Sequence, residues 1–300
     1  MQKMISKVPI KQLIYERFTK ETKKIFYSFE VTAKKNFVLD TSQLHVNPLF
    51  IDITWISDYN LKHESILSSP AFILKKELEK NFNVINTITC FRLEDKHVDE
   101  LLSDDDPVKN FVVIRGDNIS GSQKFKYAGD LVKELRRRTQ HIQDKVTIMG
   151  ACYPNVHPEM TDYKADMKNL KRKVEEGVDV LLTQSVFCSK IFCEFVKNCR
   201  KEGINVPIIP GIYVAYTYEE LKAIIRTTQV SVPTELARQF KEVSKDQEKF
   251  QELSINSTKT MIREIQDHCI DHIPGYHFFS MNNMTMINKL LKVINFSDAS

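Results

Sequence analysis

Polar side chains follow or interrupt short apolar runs at several places along this 300-residue chain. Glu30 lies inside the stretch FYSFEV, Arg115–Asp117 follows FVVI, and Thr183-Gln184 closes VDVLL. Carboxyl, guanidinium, hydroxyl and amide groups at strand ends are the groups that proton transfer and ligand binding need. These positions are therefore the first candidates for a functional site.

Glu30 is a candidate proton donor. It is framed by Phe29 and Val31, and a carboxyl group in apolar surroundings is costly to ionise. Burial would raise its pKa, so that it still carries a proton near neutral pH. The alternative is an ion pair with Lys34 or Lys35, and the residues alone leave both interpretations open.

Arg115 and Asp117 flank Gly116 on a tight loop, where a glycine lets the backbone approach a ligand closely. Taken alone, the triplet favours a salt bridge between Arg115 and Asp117 over a binding site.

The apolar runs predict eight strands, several of them nearly continuous in Val, Ile and Leu, as in strands buried on both faces. They are Ile25–Thr32, Leu49–Trp55, Val84–Cys90, Phe111–Gly116, Val146–Tyr153, Val178–Phe187, Val206–Val214 and Tyr276–Met281. The segments between the strands carry helix signals. Ser69-Pro70 predicts a helix to about Lys80, and Phe125–His141 has helical periodicity. One helix after Asp162 is predicted to end at Gly177, and another after Ser189 to end near Gly203. Thr217 and Glu220 form a capping-box pattern, and Pro233–His272 is long enough for two helices. A last helix is predicted over Thr285–Phe296.

Eight strand–helix alternations indicate an α/β fold, a single (β/α)8 TIM barrel with its chemistry at the carboxyl ends of the strands. The rival is an open doubly wound sheet, which usually has a glycine-rich first turn. This chain has eight glycines and neither G-x-G-x-x-G nor a P-loop. We expect residues 1–24 to be an N-terminal helical extension under the barrel rather than a mitochondrial presequence, since they hold Glu16 and Glu21. Residues 25–300 would then form the barrel.

Bulk composition excludes several classes of protein. The net charge is +4, from 43 basic and 39 acidic residues spread along the chain, which does not predict a nucleic-acid partner. The run Arg136–Arg138 ends a helical pattern and suits a solvated helix end. No apolar run approaches the roughly 20 residues of a membrane span. Six cysteines without a C-x-x-C pair predict reduced thiols in the cytoplasm.

No metal site is predicted. His268 and His272 stand four residues apart beside Asp267 and Asp271. They precede the eighth strand, at the end of the barrel that serves stability, and lack an evident third ligand. Surface histidines are the expectation.

Taken in order, the strand ends resemble the methylenetetrahydrofolate reductase family over nearly the whole chain. The matching segments are YSFE (27–30), DITW (52–55), TITC (87–90), Arg115–Asp117, YAGDLV (127–132), GACYPNVHPE (150–159), the pair Asp166 and Lys173, DVLLTQ (179–184), PIIPGI (207–212) and HFFSMN (277–282). Each segment is weak evidence alone, and ten in order are strong evidence.

The resemblance implies a flavoenzyme that holds FAD in the barrel mouth, with NAD(P)H as co-substrate. Such an enzyme reduces 5,10-methylenetetrahydrofolate to 5-methyltetrahydrofolate. Glu30 matches the acid that opens the folate ring, and Asp117 is a second catalytic position that also contacts flavin and pterin. Implied substrate-binding residues are Asp117, Gln184, Phe279 and Asn283. Implied cofactor-binding residues are Thr54, Trp55, Thr87, Arg115, Gly116, Asp117, Tyr127, Ala128, Tyr153, His157, Pro158, Glu159, Asp166 and Lys173.

The chain departs from the family pattern in four places. Val31–Lys35 replaces two aromatic residues and two prolines in the segment that helps to hold the nicotinamide, and Thr87 replaces a flavin-contacting histidine. Ser185-Val186 replaces a Leu-Phe pair beside the pterin. On the eighth strand, Phe279 stands for a tyrosine and Asn283 for an arginine expected to touch folate. We expect weakened or altered substrate binding rather than lost chemistry.

Three functions remain. The leading one is an active reductase of one-carbon and methionine metabolism, of the short form without a C-terminal regulatory domain. Its partner would be the folate substrate, and a homo-oligomer stays open. The second is a flavin-binding homologue that has lost turnover and acts as a binding or partner protein. The third, a barrel enzyme acting on a phosphorylated sugar, would need a glycine-rich loop after strand seven or eight, where only Pro210-Gly211 stands.

Overall fold

The eight predicted strands are present, and they close into one parallel barrel in chain order. They are β1 Phe26–Thr32, β2 Ile51–Thr54, β3 Val84–Thr89, β4 Lys109–Ile114, β5 Val146–Cys152, β6 Val180–Ser185, β7 Ile208–Ile212 and β8 Gly275–Phe278. The computed structural model describes residues 7–19, 25–34, 37–44, 46–54, 63–103, 105–116, 123–155, 157, 159–160, 162–294 and 296. The predicted TIM barrel is confirmed.

Helices fill the connections between the strands. In the described part of the chain they are α1 Ile10–Thr19, α2 Pro70–Leu78, α3 Asp95–Ser103, α4 Ala128–Arg138, α5 Tyr163–Glu175, α6 Ser189–Lys201, α7 Tyr218–Thr228, α8 Thr234–Glu242, α9 Gln247–Cys269 and α10 Thr285–Leu291. At α7 the Thr217 half of the predicted capping box is present, since the Glu220 N–H donates to Thr217 Oγ1 at 3.1 Å. Pro233–His272 holds two helices, as its length predicted.

Two helix boundaries differ from the sequence prediction. The helix predicted over Phe125–His141 is α4 followed by a 3₁₀ helix at Gln140–Lys145, because the backbone at Thr139 (φ −104°, ψ 17°) leaves α-helical geometry. The helix expected over Thr285–Phe296 ends at Leu291. None of the described helices is both long and apolar enough to cross a membrane.

Helix α1 closes the amino end of the barrel. Its buried residues Ile10 and Ile14 pack against the inward side chains of the strands, including Phe26 and Met149. The first N–H groups of a helix have no partner inside the helix. Two of them find partners on the strands: Ile10 N donates to Asn110 Oδ1 at 3.1 Å, and Lys11 N donates to Thr147 Oγ1 at 3.0 Å. The amino half of the barrel is therefore filled and apolar.

The carboxyl half of the barrel interior is polar. Ser28, Asp52, Thr87 and His277 are buried there on β1, β2, β3 and β8. Alternate residues of a strand point to the same side, so these polar positions share the interior with the apolar ones below them. This division leaves the mouth at the carboxyl ends as the place for chemistry.

The cysteines differ in part from the expectation of reduced thiols. Cys193 on α6 and Cys269 at the end of α9 form a disulfide, with Cα atoms 5.9 Å apart. These residues are 76 positions apart in sequence and meet because the two helices pack together. Cys90, Cys152, Cys188 and Cys199 are free thiols.

Candidate active site in the barrel mouth

Glu30 lies near the carboxyl end of β1, where its side chain is partly shielded from solvent. Thr54 Oγ1 on β2 donates to Glu30 Oε2 at 3.1 Å. Burial raises the pKa of Glu30 to about 7, against the opposing effect of the Thr54 hydrogen bond. The side chain of Lys34 is exposed, and Thr54 is the partner instead. Lys35, the other cation considered from the sequence, lies outside the described residues.

Asp52 lies beside Glu30 on β2, with the two Cα atoms paired across the strands. Thr87 Oγ1 lies 2.9 Å from Asp52 Oδ1 and 2.8 Å from Oδ2, so its single hydroxyl hydrogen serves both oxygens. Burial, together with the neighbouring Glu30 charge, raises the pKa of Asp52 to about 8. Thr87 was predicted to contact flavin; in the structure its hydroxyl donates to this carboxyl group.

His277 on β8 is the third ionisable group of this set. Its Nδ1 lies 2.9 Å from Ser28 Oγ, and its buried Nε2 has no hydrogen-bond partner among the described residues. Burial lowers the pKa of His277 to about 3, so its ring is neutral at physiological pH. One ligand-type atom from each of Glu30, Asp52 and His277 lies within 4.8 Å of the others.

Arg115 forms its ion pair with Glu159 across the mouth. Arg115 Nη1 and Nη2 donate to the two carboxylate oxygens at 2.6 and 2.5 Å. The guanidinium lowers the pKa of Glu159 below its usual range. Gly116 follows with a φ of 85°, a left-handed conformation that favours glycine. Asp117, the partner that the sequence favoured for Arg115, lies outside the described residues.

A cleft beside β5 collects several of the predicted flavin residues. It encloses about 410 Å³ of empty space, partly open to solvent, and is lined by Tyr153, His157, Asp166, Lys173 and neighbours on β5 and α5. The Lys173 stem crosses β5 over Gly150, where an added Cβ would lie 3.2 Å from Lys173 Cδ. Its ammonium donates to the Ala151 carbonyl at 2.6 Å, and burial lowers its pKa.

Asp166 orders the loop at the same cleft. Its Oδ2 accepts a hydrogen bond of 2.9 Å from His157 N, and the His157 ring meets Tyr153 edge to face at 4.5 Å between centroids. A half-buried cation, a carboxylate and aromatic rings are the kinds of group that would suit the diphosphate, hydroxyl and ring systems of a flavin nucleotide.

Gln184 lies at the end of β6 and lines a second cleft, of about 400 Å³, which it shares with Tyr153. The Gln184 Oε1 accepts from Ser185 N at 2.8 Å, so its amide nitrogen is the group left for a ligand. Tyr153 borders both clefts, which makes the two spaces neighbours.

The end of β8 is tied to the end of β1. Asn282 Oδ1 accepts from Thr32 N at 2.7 Å, and its Nδ2 donates to Thr32 O at 2.9 Å. Asn283, predicted to bind substrate, uses its Oδ1 to accept from Thr285 N at 3.0 Å at the start of α10. Phe279 covers Gly211, where an added Cβ would lie 2.5 Å from the ring.

The remaining predicted residues lie elsewhere or cannot be placed. Tyr127 is exposed and precedes α4, its N–H donating to Asp130 Oδ2 at 2.9 Å, and Ala128 begins that helix. Trp55, Asp117 and Pro158 lie outside the described residues, so their roles stay predictions. His268, considered as a metal ligand, is exposed on α9.

Sequence reasoning missed His277 and gave Asp52 no role. The available signal was alternation: both are polar residues at inward positions of otherwise apolar strands. Their proximity depends on barrel closure, which places β1 between β2 and β8.

A closed parallel barrel with ionisable side chains at the carboxyl ends of its strands defines a (β/α)8 protein with the architecture of an enzyme. A family model described as methylenetetrahydrofolate reductase matches residues 15–295. The chain belongs to the methylenetetrahydrofolate reductase family, as its strand-end motifs predicted.

Named relatives include a probable methylenetetrahydrofolate reductase (NADPH) of Caenorhabditis elegans, 26% identical over 94% of this chain and 44% of that protein. The Arabidopsis thaliana methylenetetrahydrofolate reductase (NADH) 1 is 26% identical over 78% of this chain and 41% of that protein. The Escherichia coli 5,10-methylenetetrahydrofolate reductase is 32% identical over 60% of this chain and 58% of that one. The chain thus spans about half the length of the curated relatives it matches.

The fold also matches a solved structure. A Clostridium thermocellum protein, described as binding two copies of 5-methyl-5,6,7,8-tetrahydrofolic acid, superposes with a TM-score of 0.65 at 15% identity. The match covers 94% of this chain and 96% of that chain. At this identity the likeness establishes the shared barrel.

Proposed function

We propose that this chain is an FAD-dependent reductase that uses NAD(P)H to convert 5,10-methylenetetrahydrofolate to 5-methyltetrahydrofolate. The observation that carries the proposal is Glu30, whose pKa burial raises to about 7 in the mouth of the barrel. A general acid works best when its pKa lies near the working pH. The relatives' names include both NADPH and NADH forms, so either nicotinamide is a candidate donor.

Glu30 would supply the proton that opens the five-membered ring of the folate. Its Oε–H bond breaks as the folate nitrogen leaves the bridging carbon, and that nitrogen takes the proton. Thr54, which donates to Oε2, would then stabilise the carboxylate that forms. The amide nitrogen of Gln184 would bind the pterin, as would Asp117, and Phe279 and Asn283 would border the folate at the end of β8.

The cleft beside β5 would hold the flavin. Lys173 would offset diphosphate charge from the floor of the cleft, and Asp166 would accept from ribityl or ribose hydroxyls. Tyr153 and His157 would pack against the rings, and Arg115 would face the same cofactor with Gly116 allowing close approach. When bound, FAD would carry hydride from the nicotinamide to the folate carbon.

The visible spectrum tests this proposal. The protein is purified and mixed anaerobically with NADH or NADPH, and then with 5,10-methylenetetrahydrofolate. Flavin absorbance should bleach with the nicotinamide and return with the folate. A yellow protein that never bleaches would support the flavin-binding homologue without turnover, and a colourless protein that takes up no added FAD would overturn the flavin assignment.

A Glu30→Gln variant tests the role of the acid. It should keep reduction by the nicotinamide and lose reoxidation by the folate, because glutamine fills the same space without a proton to give. Glu77→Gln is the matched control, since 66% of the Glu77 side chain is exposed to solvent. Folate reoxidation that survives Glu30→Gln would refute the role of Glu30.

The proposed activity belongs to one-carbon metabolism and the supply of methyl groups for methionine. We propose a cytoplasmic location on the same basis. Fractionation of the source cells would test the location, and sedimentation of the purified protein would test the homo-oligomer that the sequence left open.

A further inference from the structure

Barrel closure brings three ionisable side chains together, two of them buried and Glu30 partly shielded from solvent. β1 pairs with β2 on one side and β8 on the other, so Glu30 stands opposite Asp52 while Ser28 stands opposite His277. Atoms of Glu30, Asp52 and His277 lie within 4.8 Å of one another. Asp52 and His277 are 3% and 0% exposed. The proposed folate chemistry assigns neither residue a task.

Ionising both the Glu30 and the Asp52 carboxyl groups at this end of the barrel would cost free energy. Charges at such a separation repel strongly where water is excluded. Desolvation acts on both groups, and the Glu30 charge adds to its effect on Asp52. The opposing groups among the described residues are hydrogen-bond donors, namely the Thr54 hydroxyl for Glu30 and the Thr87 hydroxyl and backbone N–H for Asp52. No lysine or arginine among the described residues contributes to either carboxyl group.

His277 does not supply the missing positive charge. Its ring is buried between Phe50 and Phe279, with centroids 5.9 and 5.4 Å away, and its Nδ1 lies against Ser28 Oγ. Burial favours the neutral imidazole. The two carboxyl groups therefore lie beside a neutral imidazole. Keeping one proton on the pair lowers its negative charge.

We propose that Asp52 shares a proton with Glu30 and so keeps the acid protonated at alkaline pH, a positioning role that rests on the proposed function. With one proton left on the pair, an Asp52 Oδ–H bond can break as a Glu30 Oε–H bond forms, and the reverse. The total charge stays at −1 and no electrons are transferred. After Glu30 gives its proton to the folate nitrogen, water at the partly open mouth returns one to the pair.

Asp52→Asn removes the second proton site while keeping the shape. Lone Glu30 should then lose its proton in one step, and folate reoxidation should fall at lower pH than in the wild type. We compare, for each protein, the ratio of the reoxidation rate at pH 8.5 to the rate at pH 6.5. This ratio should be roughly five-fold lower in Asp52→Asn than in the wild type. Flavin reduction by the nicotinamide is followed in parallel as the step that needs no acid. Asp105→Asn, which removes an exposed carboxylate elsewhere, should leave the profile unchanged.

Infrared titration of the protein as purified gives a readout that needs no turnover. The carboxylic acid C=O band should be lost in two steps in the wild type, and in one step in Asp52→Asn and in Glu30→Gln. Thr87→Val, which removes the donor to Asp52, should move the loss of the band to higher pH and serves if Asp52→Asn fails to fold.

The outcomes separate this inference from the proposed function. Two-step titration without folate reoxidation would keep the shared proton and refute the folate reaction. Folate reoxidation that needs Glu30 but has the same pH profile in Asp52→Asn would overturn the shared proton alone. A stoichiometric metal in the purified protein, found by elemental analysis and bound by these three side chains, would also overturn it.

Discussion

Arg115 and Glu159 are joined by two parallel hydrogen bonds of 2.6 and 2.5 Å across the barrel mouth. Their side chains are 20% and 53% exposed, so the pair sits at the border between protein and solvent. Such a bidentate pair fixes the guanidinium plane and neutralises its charge. Glu159 therefore fixes the orientation of the Arg115 side chain at the proposed flavin site and also offsets its positive charge.

Glu159→Gln should strengthen FAD binding. Glutamine keeps an acceptor for the guanidinium and removes one negative charge, which makes the proposed flavin site more positive. Because the pair is partly exposed, screening limits the gain to about two- to five-fold in Kd. Quenching of flavin fluorescence at low and high salt would measure it, and the gain should shrink at high salt. Weaker binding in Glu159→Gln would show that orientation of Arg115 outweighs its charge.

Asp52→Asn should stabilise the protein at alkaline pH. The folded-state pKa of Asp52 is raised to about 8, so the folded protein keeps a proton that the unfolded chain loses near pH 4. The contribution of this proton to the free energy of unfolding is fully present below about pH 4 and is lost as the pH rises toward 8. Asparagine never ionises, so the variant should gain roughly 2–4 kcal/mol over the wild type at pH 9, compared with pH 5. Urea denaturation at both values measures this, and an equal change at both would contradict it.

The strands were predictable because a parallel strand buried on both faces has a nearly continuous apolar sequence. The residues at which the strands end were harder to predict. Val178–Phe187 was predicted as a strand, and β6 is Val180–Ser185, because pairing with the neighbouring strands determines where a strand stops. Thr139 shows the same limit for helices, since it lies inside the predicted helical pattern and its backbone nevertheless leaves helical geometry and ends α4.

Positions in the barrel mouth were predictable where a polar residue type and a strand end coincide, as at Glu30 and Gln184. Contacts across barrel closure were not, because they depend on the register of β8 against β1. His277 becomes significant only once that register places Ser28 beside it. Glu159 was assigned to the cofactor by resemblance, and its pairing with Arg115 joins two loops whose relative position no local pattern encodes.

Lys173→Gln should weaken FAD binding by on the order of tenfold or more, because the change removes a charge-assisted hydrogen bond from a shielded site. Burial lowers the pKa of Lys173, so wild-type affinity should also decline at a pH below that of ordinary lysine titration. Fluorescence titrations with FAD across pH would follow both effects. Lys171→Gln, an alteration outside the residues that line the cleft, is the control. Equal affinity in Lys173→Gln and the wild type would remove Lys173 from the proposed flavin site.

Gly211→Ala should destabilise the barrel. A Cβ at this position would lie 2.3 Å from the Thr183 carbonyl oxygen and 2.5 Å from the Phe279 ring. Backbone on one side and a packed ring on the other leave no cheap movement, so we expect a loss of roughly 1–3 kcal/mol. Gly129→Ala is the matched control, since nothing lies within 4 Å of its added Cβ and alanine favours the helix by up to about 1 kcal/mol. Thermal unfolding should lower the melting temperature of the first variant and preserve or raise that of the second. If Gly211→Ala is as stable as the wild type, β8 and Phe279 can move away from β7 at little cost.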